Sequence, residues 1–192
     1  VAATSREADR RGELLERLAD AIAENGVEGV SIRDLATRAG VSIGTVQYYF
    51  ATKSDLLQSV WLHVREQAAR RFTDSGVVDM APADQLRKLT ELLLAPTHEH
   101  RLSRVWFALA ARAAHDPQIA ALHREQWQGT EELLDRVLAR ANPERAGEST
   151  DAAATLLALL DGLSISVLTE PDRMPPERAA RIGDAWVNSW LA

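Results

Sequence analysis

The sequence predicts an all-α fold of nine helices. Apolar residues recur at helical spacing along most of the chain, all seven prolines fall where one helical pattern stops or the next begins, and no segment alternates β-branched and polar residues as a strand would. Proline is tolerated in the first helical turn and costly in the interior, so Pro82, Pro96, Pro117, Pro143, Pro171, Pro175 and Pro176 act as punctuation. The spacing places helices near residues 6–24, 32–39, 43–50, 53–73, 83–95, 99–114, 117–141, 148–169 and 176–191.

The first helix is amphipathic through Leu14, Leu15, Leu18 and Ile22 and ends at the turn Glu24 to Gly26. The second starts at Ser31, whose hydroxyl can accept from free backbone amides, while Asp34 three residues on reaches back in a capping box and offsets the positive helix end. Ile32, Leu35 and Ala36 form its apolar face, and small Ala36 lets another helix cross closely. Gly40 ends it by taking the left-handed conformation without a Cβ clash, and Val41 is placed to fill the corner. Ser42 opens the third helix. There Val46 and Phe50, four apart, share the inner face and turn Thr45, Gln47, Tyr48 and Tyr49 to the outside or its margins. Thr52 and Asp55 make a second capping pair, which puts Lys53 in the first turn of the fourth helix. That helix runs to about Phe72 as a rigid link between the first three helices and the body.

The last two helices carry more apolar surface than one buried face needs. Leu156, Leu160, Leu163 and Val167 make one stripe, which Ala153, Leu157 and Ser164 extend; Ala179, Ile182, Trp186 and Trp190 make a second, with Gly183 allowing close approach. Two such helices from each of two chains are expected to pack as a four-helix interface, giving a homodimer.

Composition narrows the classes. A chain of 192 residues with 46% hydrophobic content can build a full core, and it has no cysteine, which excludes disulfides, thiolate zinc sites and cysteine nucleophiles and fits a cytoplasmic location. No signal-peptide pattern opens the sequence, and the longest apolar run, 152–160, is shorter than a membrane span and stops at Asp161, so a soluble protein is expected. The histidines His63, His98, His100, His115 and His123 lack metal-ligand spacing, and no nucleophile-elbow, Walker or dinucleotide motif is present. The sequence therefore calls for no cofactor, no metal and no catalytic residue, and the chain is expected not to be an enzyme.

The segment 31–53 thus reads as a helix-turn-helix whose outer face suits a duplex. Gln47 can donate and accept at a base edge, and Thr45, Tyr48 and Tyr49 can reach phosphate, sugar or thymine methyl groups. Lys53 sits where an ammonium and free amides converge on one phosphate. The formal net charge of -6 predicts an acidic body with a local basic edge, since Arg6, Arg10, Arg11, Arg17, Arg33, Arg38 and Lys53 are nearly cancelled by neighbouring acids.

From about Arg11 to Leu57, and above all in IRDLATRAGVSIGTVQYYFATKSDLL, the chain resembles the DNA-binding region of the tetracycline-repressor (TetR) family of bacterial transcriptional regulators. The remainder resembles that family in helix number, length and short phrases such as Asp161-Gly162-Leu163. The resemblance implies a two-domain TetR-like fold, with residues 1–52 as the DNA-binding domain and 53–192 as an effector-binding and dimerisation domain. It implies phosphate contacts from Ser42, Thr45, Tyr49 and Lys53, base or sugar contacts from Gln47 and Tyr48, and support near the backbone from Ser31, Arg33 and Arg38. Relatives often carry an aromatic residue at the position of Gln47, so the base preference is this chain's own. The expected function is a ligand-responsive repressor that binds a palindromic operator as a homodimer and is released by a small molecule; the alternative is a helical ligand-binding or scaffold protein that has lost DNA recognition. Candidate effector contacts are Trp61, Phe72, Trp106, Phe107, Trp127, His123 and Asp161, although large aromatics also serve ordinary helical cores.

Overall fold

The computed structural model describes residues 2–94 and 100–192, with side chains described from Glu7 onward apart from Ala8 and His100. Pro96 and His98 lie outside the described residues, as does the side chain of His100. Among the described residues there are nine α-helices: α1 (Ala2–Asn25), α2 (Ile32–Ala39), α3 (Ile43–Tyr49), α4 (Lys53–Asp74), α5 (Pro82–Leu93), α6 (His100–Ala113), α7 (Pro117–Ala141), α8 (Ser149–Thr169) and α9 (Pro176–Leu191). Short 3-10 turns fall at Val77–Asp79 and Pro143–Glu148. The described parts of all nine expected helices are present, and α1 begins four residues earlier than the periodicity indicates because its first turn has no apolar stripe to mark it.

The chain divides into two compact units, residues 1–68 with 101–123, and residues 69–100 with 124–192. In the first unit the apolar stripe of α1 (Leu14, Leu15, Leu18, Ile22) meets Leu35 of α2, Val46 and Phe50 beside α3, Leu56, Leu57, Val60 and Trp61 of α4, and Val105 and Leu109 of α6. All are buried, and each large apolar side chain so placed contributes about 1.5–3 kcal/mol.

A polar network runs beside that core. Arg101 of α6 donates from Nη2 to the Glu16 carboxylate at 2.6 Å, and its Nε lies 2.6 Å from Asp20 Oδ1. His63 Nε2 sits 2.7 Å from Glu16 Oε1, to which the Gln67 amide also donates. Burial pushes the Glu16 carboxyl up, but hydrogen bonds with His63 and Arg101 outweigh it and hold the group below its ordinary range.

In the second unit α8 is the central helix. Ala153, Leu156, Leu157, Leu160, Leu163 and Val167 are buried against Leu86 and Leu89 of α5, Leu134, Val137 and Leu138 of α7, and Ala179, Val187 and Trp190 of α9. The seven stripe residues Leu156, Leu160, Leu163, Val167, Ala179, Gly183 and Trp190 therefore close this chain's own core. Gly183 has a specific reason to lack a side chain: a Cβ there would stand 3.1 Å from Thr90 Cγ2 of α5. Trp190 donates from its indole nitrogen to the Leu138 carbonyl at 3.1 Å, which fixes α9 on α7. Ile182 and Trp186 remain half-buried. With charged positions tolerated, the stretch Pro143–Thr169 is long and apolar enough to cross a membrane, with a mean hydropathy of 1.8. Its buried face in the unit's core accounts for that composition.

Candidate nucleic-acid interface

Local chemistry fixes the geometry of residues 31–53. Ser31 Oγ accepts from the Asp34 amide at 3.2 Å and donates to the Asp34 carboxylate at 2.5 Å. Asp34 thus closes its box on the Ser31 hydroxyl. At the other end Gly40 takes φ 64° and ψ 35°, its amide donates to Thr37 O at 3.2 Å, and the Val41 amide donates to Ala36 O at 3.0 Å. This pair of bonds satisfies the last carbonyls of α2 and turns the chain sharply into α3. Ser42 Oγ then accepts from the Thr45 amide at 3.0 Å and pairs with Thr45 Oγ1 at 2.8 Å, so both hydroxyls are held at the start of α3. The Thr52 cap is fully reciprocal: the Asp55 amide donates to Thr52 Oγ1 at 3.1 Å, and the Thr52 amide donates to Asp55 Oδ2 at 3.0 Å.

The division between inner and outer faces follows the expected pattern. Val46 and Phe50 have no exposed surface, whereas Gln47 is exposed and Tyr48 is 71% exposed. Tyr49 is half-buried against the core, and its ring meets that of Tyr48 edge-on at 5.0 Å. Ser42 and Arg33 are exposed, and Arg33 pairs with no acid among the described residues. Arg38, Lys53 and Arg11 each have a partner. Arg38 Nη1 donates to Glu24 at 2.8 Å, Lys53 Nζ lies 3.7 Å from Glu28, and Glu28 also accepts from Arg112 at 2.9 Å. Arg11 donates to Ser59 Oγ at 3.0 Å and lies over the Phe50 ring at 5.5 Å, which makes it part of the packing of α1 on α4.

Sequence reasoning missed one residue at this surface. Glu7 of α1 accepts a 2.6 Å hydrogen bond from the Tyr48 hydroxyl. The partners are 41 residues apart, so no local spacing signals the contact.

The candidate effector residues fall in both units. In the first, Trp61 is buried, its ring lies 4.8 Å from that of Trp106, and His123 stands 5.7 Å from Trp61 and 5.8 Å from Trp106. The buried Trp61 Nε1 has no acceptor among the described residues, and burial holds the His123 imidazole below its ordinary pKa. Phe107 lies half-buried on α6. In the second unit Phe72 and Trp127 pack against the core, and Asp161 is pushed by burial up to about 7, with its Oδ2 unpartnered.

Known proteins match the chain along its length. Residues 14–60 match the pattern of bacterial regulatory proteins of the tetR family, and residues 82–192 match the C-terminal region of BetI-type transcriptional repressors. The HTH-type transcriptional regulator PksA of Bacillus subtilis is 32% identical over 180 residues, covering 90% of this chain and 85% of PksA. The HTH-type transcriptional regulator BetI of Burkholderia mallei is 25% identical over 185 residues, covering 95% of this chain and 94% of BetI. Among solved structures, a transcriptional regulator from Rhodococcus sp. Rha1 superposes with a TM-score of 0.83 at 33% identity, covering 94% of this chain and 95% of that one. A regulator from Saccharomonospora viridis, solved with choline, shares the fold with a TM-score of 0.86 at 24% identity, covering 95% and 96% of the two chains. A capped helix-turn-helix with an outward glutamine and tyrosine, joined to a BetI-type helical body, places this chain in the TetR family of transcriptional regulators.

Proposed function

We propose that this regulator acts as a repressor, binding a palindromic operator as a homodimer through α3 of each subunit and leaving the DNA when a small-molecule effector binds. The observation that carries the reading is the sidedness of α3: Val46 is buried and Phe50 just beyond it is buried, while Gln47 and Tyr48 stand outward on a helix fixed at its start by Ser42. Base-edge contacts fall to Gln47 and Tyr48. Phosphate contacts fall to Ser42, Thr45, Tyr49 and Lys53, with Ser31, Arg33 and Arg38 nearby. Residues 1–52 form the reading domain, and residues 53–192 serve the effector and the dimer. The protein works in the cytoplasm by binding alone, without a catalytic step.

Burial of the α8 and α9 stripes in the chain's own core moves the dimer contact to what those helices leave outside. Ile165 is 45% exposed, Thr155, Ala158 and Gly162 are exposed, and Leu159, Ile182 and Trp186 are half-buried. Reading two half-sites on successive major grooves calls for an isologous pair whose α3 helices stand about 34–36 Å apart, or a multiple of that. In the first unit the effector contact falls to Trp61, Trp106 and His123, where the unsatisfied indole N–H of Trp61 favours a ligand that offers an acceptor group. An effector releases DNA only by favouring one head spacing over the other.

Fluorescence anisotropy against duplexes from the region upstream of the gene tests the reading. Saturable, salt-dependent binding of one duplex well above random DNA is expected. Equal, weak retention of all duplexes at low salt overturns it in favour of a helical protein that has lost DNA recognition.

A further inference from the structure

Tyr48 carries a hydroxyl that is free to rotate in an ordinary exposed tyrosine. Such a group donates to a guanine O6, a thymine O4 or a phosphate as readily as it accepts from an adenine N6 or a cytosine N4, so it distinguishes little. Here the hydroxyl is not free. It donates to Glu7 Oε1 at 2.6 Å, and the edge-on contact with Tyr49 at 5.0 Å steadies the ring.

We infer that Glu7 sets what Tyr48 reads: with the phenolic proton committed to the Glu7 carboxylate, Tyr48 offers the groove only an acceptor oxygen, which selects a base bearing an exocyclic amine, adenine or cytosine. The inference rests on the proposed entry of α3 into a major groove. Three further facts agree with it. The hydrogen bond to Glu7 pushes the phenol pKa up, the direction expected when the proton is shared with a carboxylate. Phosphate oxygens are negatively charged acceptors, and a carboxylate behind an acceptor oxygen repels them, which directs the pair to a base edge. Both partners are exposed, so the contact serves no buried core. Glu7 is on this account a positioning residue, acting through Tyr48 without touching DNA.

Selection from a pooled oligonucleotide library separates the possibilities, using the full-length protein and its Glu7→Ala, Glu7→Gln, Tyr48→Phe and doubly substituted Glu7→Ala/Tyr48→Phe variants. The wild type is expected to favour adenine or cytosine at one position of each half-site. Glu7→Ala should reduce that preference by about twofold to tenfold, the range a single hydrogen bond supplies. Glu7→Gln should keep it, because the amide oxygen still accepts the phenolic proton. Tyr48→Phe should lose it, and the double variant should match Tyr48→Phe. A Glu7→Ala profile identical to wild type while Tyr48→Phe loses the preference overturns the role of Glu7 and leaves the reading of α3 intact. A profile that no Tyr48 or Gln47 variant alters overturns that reading itself. A second measurement needs no DNA: Tyr48 and Tyr49 are the two tyrosines of the chain, so in a Tyr49→Phe background the phenolate absorbance reports Tyr48 alone. Glu7→Ala should lower its ionisation midpoint; an unchanged midpoint means that the contact is not made in solution and overturns the inference.

Discussion

Lys53 Nζ lies 3.7 Å from a carboxylate oxygen of Glu28, so the cation proposed to clamp a phosphate already faces an acid within the α1–α2 connection. The pair is partly exposed, and exposed pairs of this length are worth about 0–1 kcal/mol, less than a desolvated phosphate contact offers. A phosphate at the proposed site should therefore win the ammonium. Lys53→Ala should weaken binding to cognate and random duplexes alike and lower the slope of log K against log salt by about one unit, measured by anisotropy across a salt series.

Gln47 differs because it is exposed, carries no charge and is proposed to meet a base edge. Gln47→Ala should relax preference at one base pair by about 1–3 kcal/mol while leaving the salt slope unchanged. Equal losses on cognate and random DNA would remove it from base reading.

Trp186 and Gly183 lie three residues apart on α9, Gly183 buried inside the subunit and Trp186 half-buried at the edge of that face. Trp186→Glu puts a charge on the half-buried surface proposed to meet a second chain, and sedimentation equilibrium should then show monomer and anisotropy lost operator binding. Gly183→Ala instead brings a methyl group to 3.1 Å from Thr90 Cγ2 inside the subunit, so it should cost about 1–3 kcal/mol in denaturant unfolding with the mass unchanged. A stable dimer in the Trp186 variant would rule out that face.

Asp161 predicts an unusual pH dependence. Its carboxyl is raised by burial from 3.8 to about 7, so between those values the folded chain holds a proton that the unfolded chain has released. The contribution of this group to stability is therefore largest below about pH 4, falls as pH rises, and levels off above about 7. Asp161→Asn should flatten that part of the profile and stabilise the protein at pH 8 by an amount on the order of a few kcal/mol. Urea denaturation at pH 5 and pH 8 checks it: a difference between the two pH values as large in the variant as in the wild type would assign the effect elsewhere.

What was legible in the sequence was local. Ser31, Gly40, Ser42 and the Thr52–Asp55 pair announce helix ends because a cap is satisfied within three or four residues, and Val46 with Phe50 fixes the inner face through one helical turn. Long-range pairing carries no such mark: Tyr48 meets Glu7 across 41 residues and Arg101 meets Glu16 across 85. Periodicity on α8 and α9 reports that a face is covered and says nothing of whether the cover is the same chain. For that reason Leu156, Leu160, Leu163 and Val167 read as a surface for a partner, whereas the chain's own core holds them. Charge counts likewise hide that Arg38 and Lys53 each stand beside a glutamate.

The grip of Arg101 on α1 has a mechanical result. One guanidinium holds two carboxylates, Glu16 and Asp20, spaced a single turn apart, and two attachment points along a rod resist twisting where one would act as a swivel. Any shift at the start of α6 is then passed to the rod that carries Glu7 at its far end, as torque and not as slack.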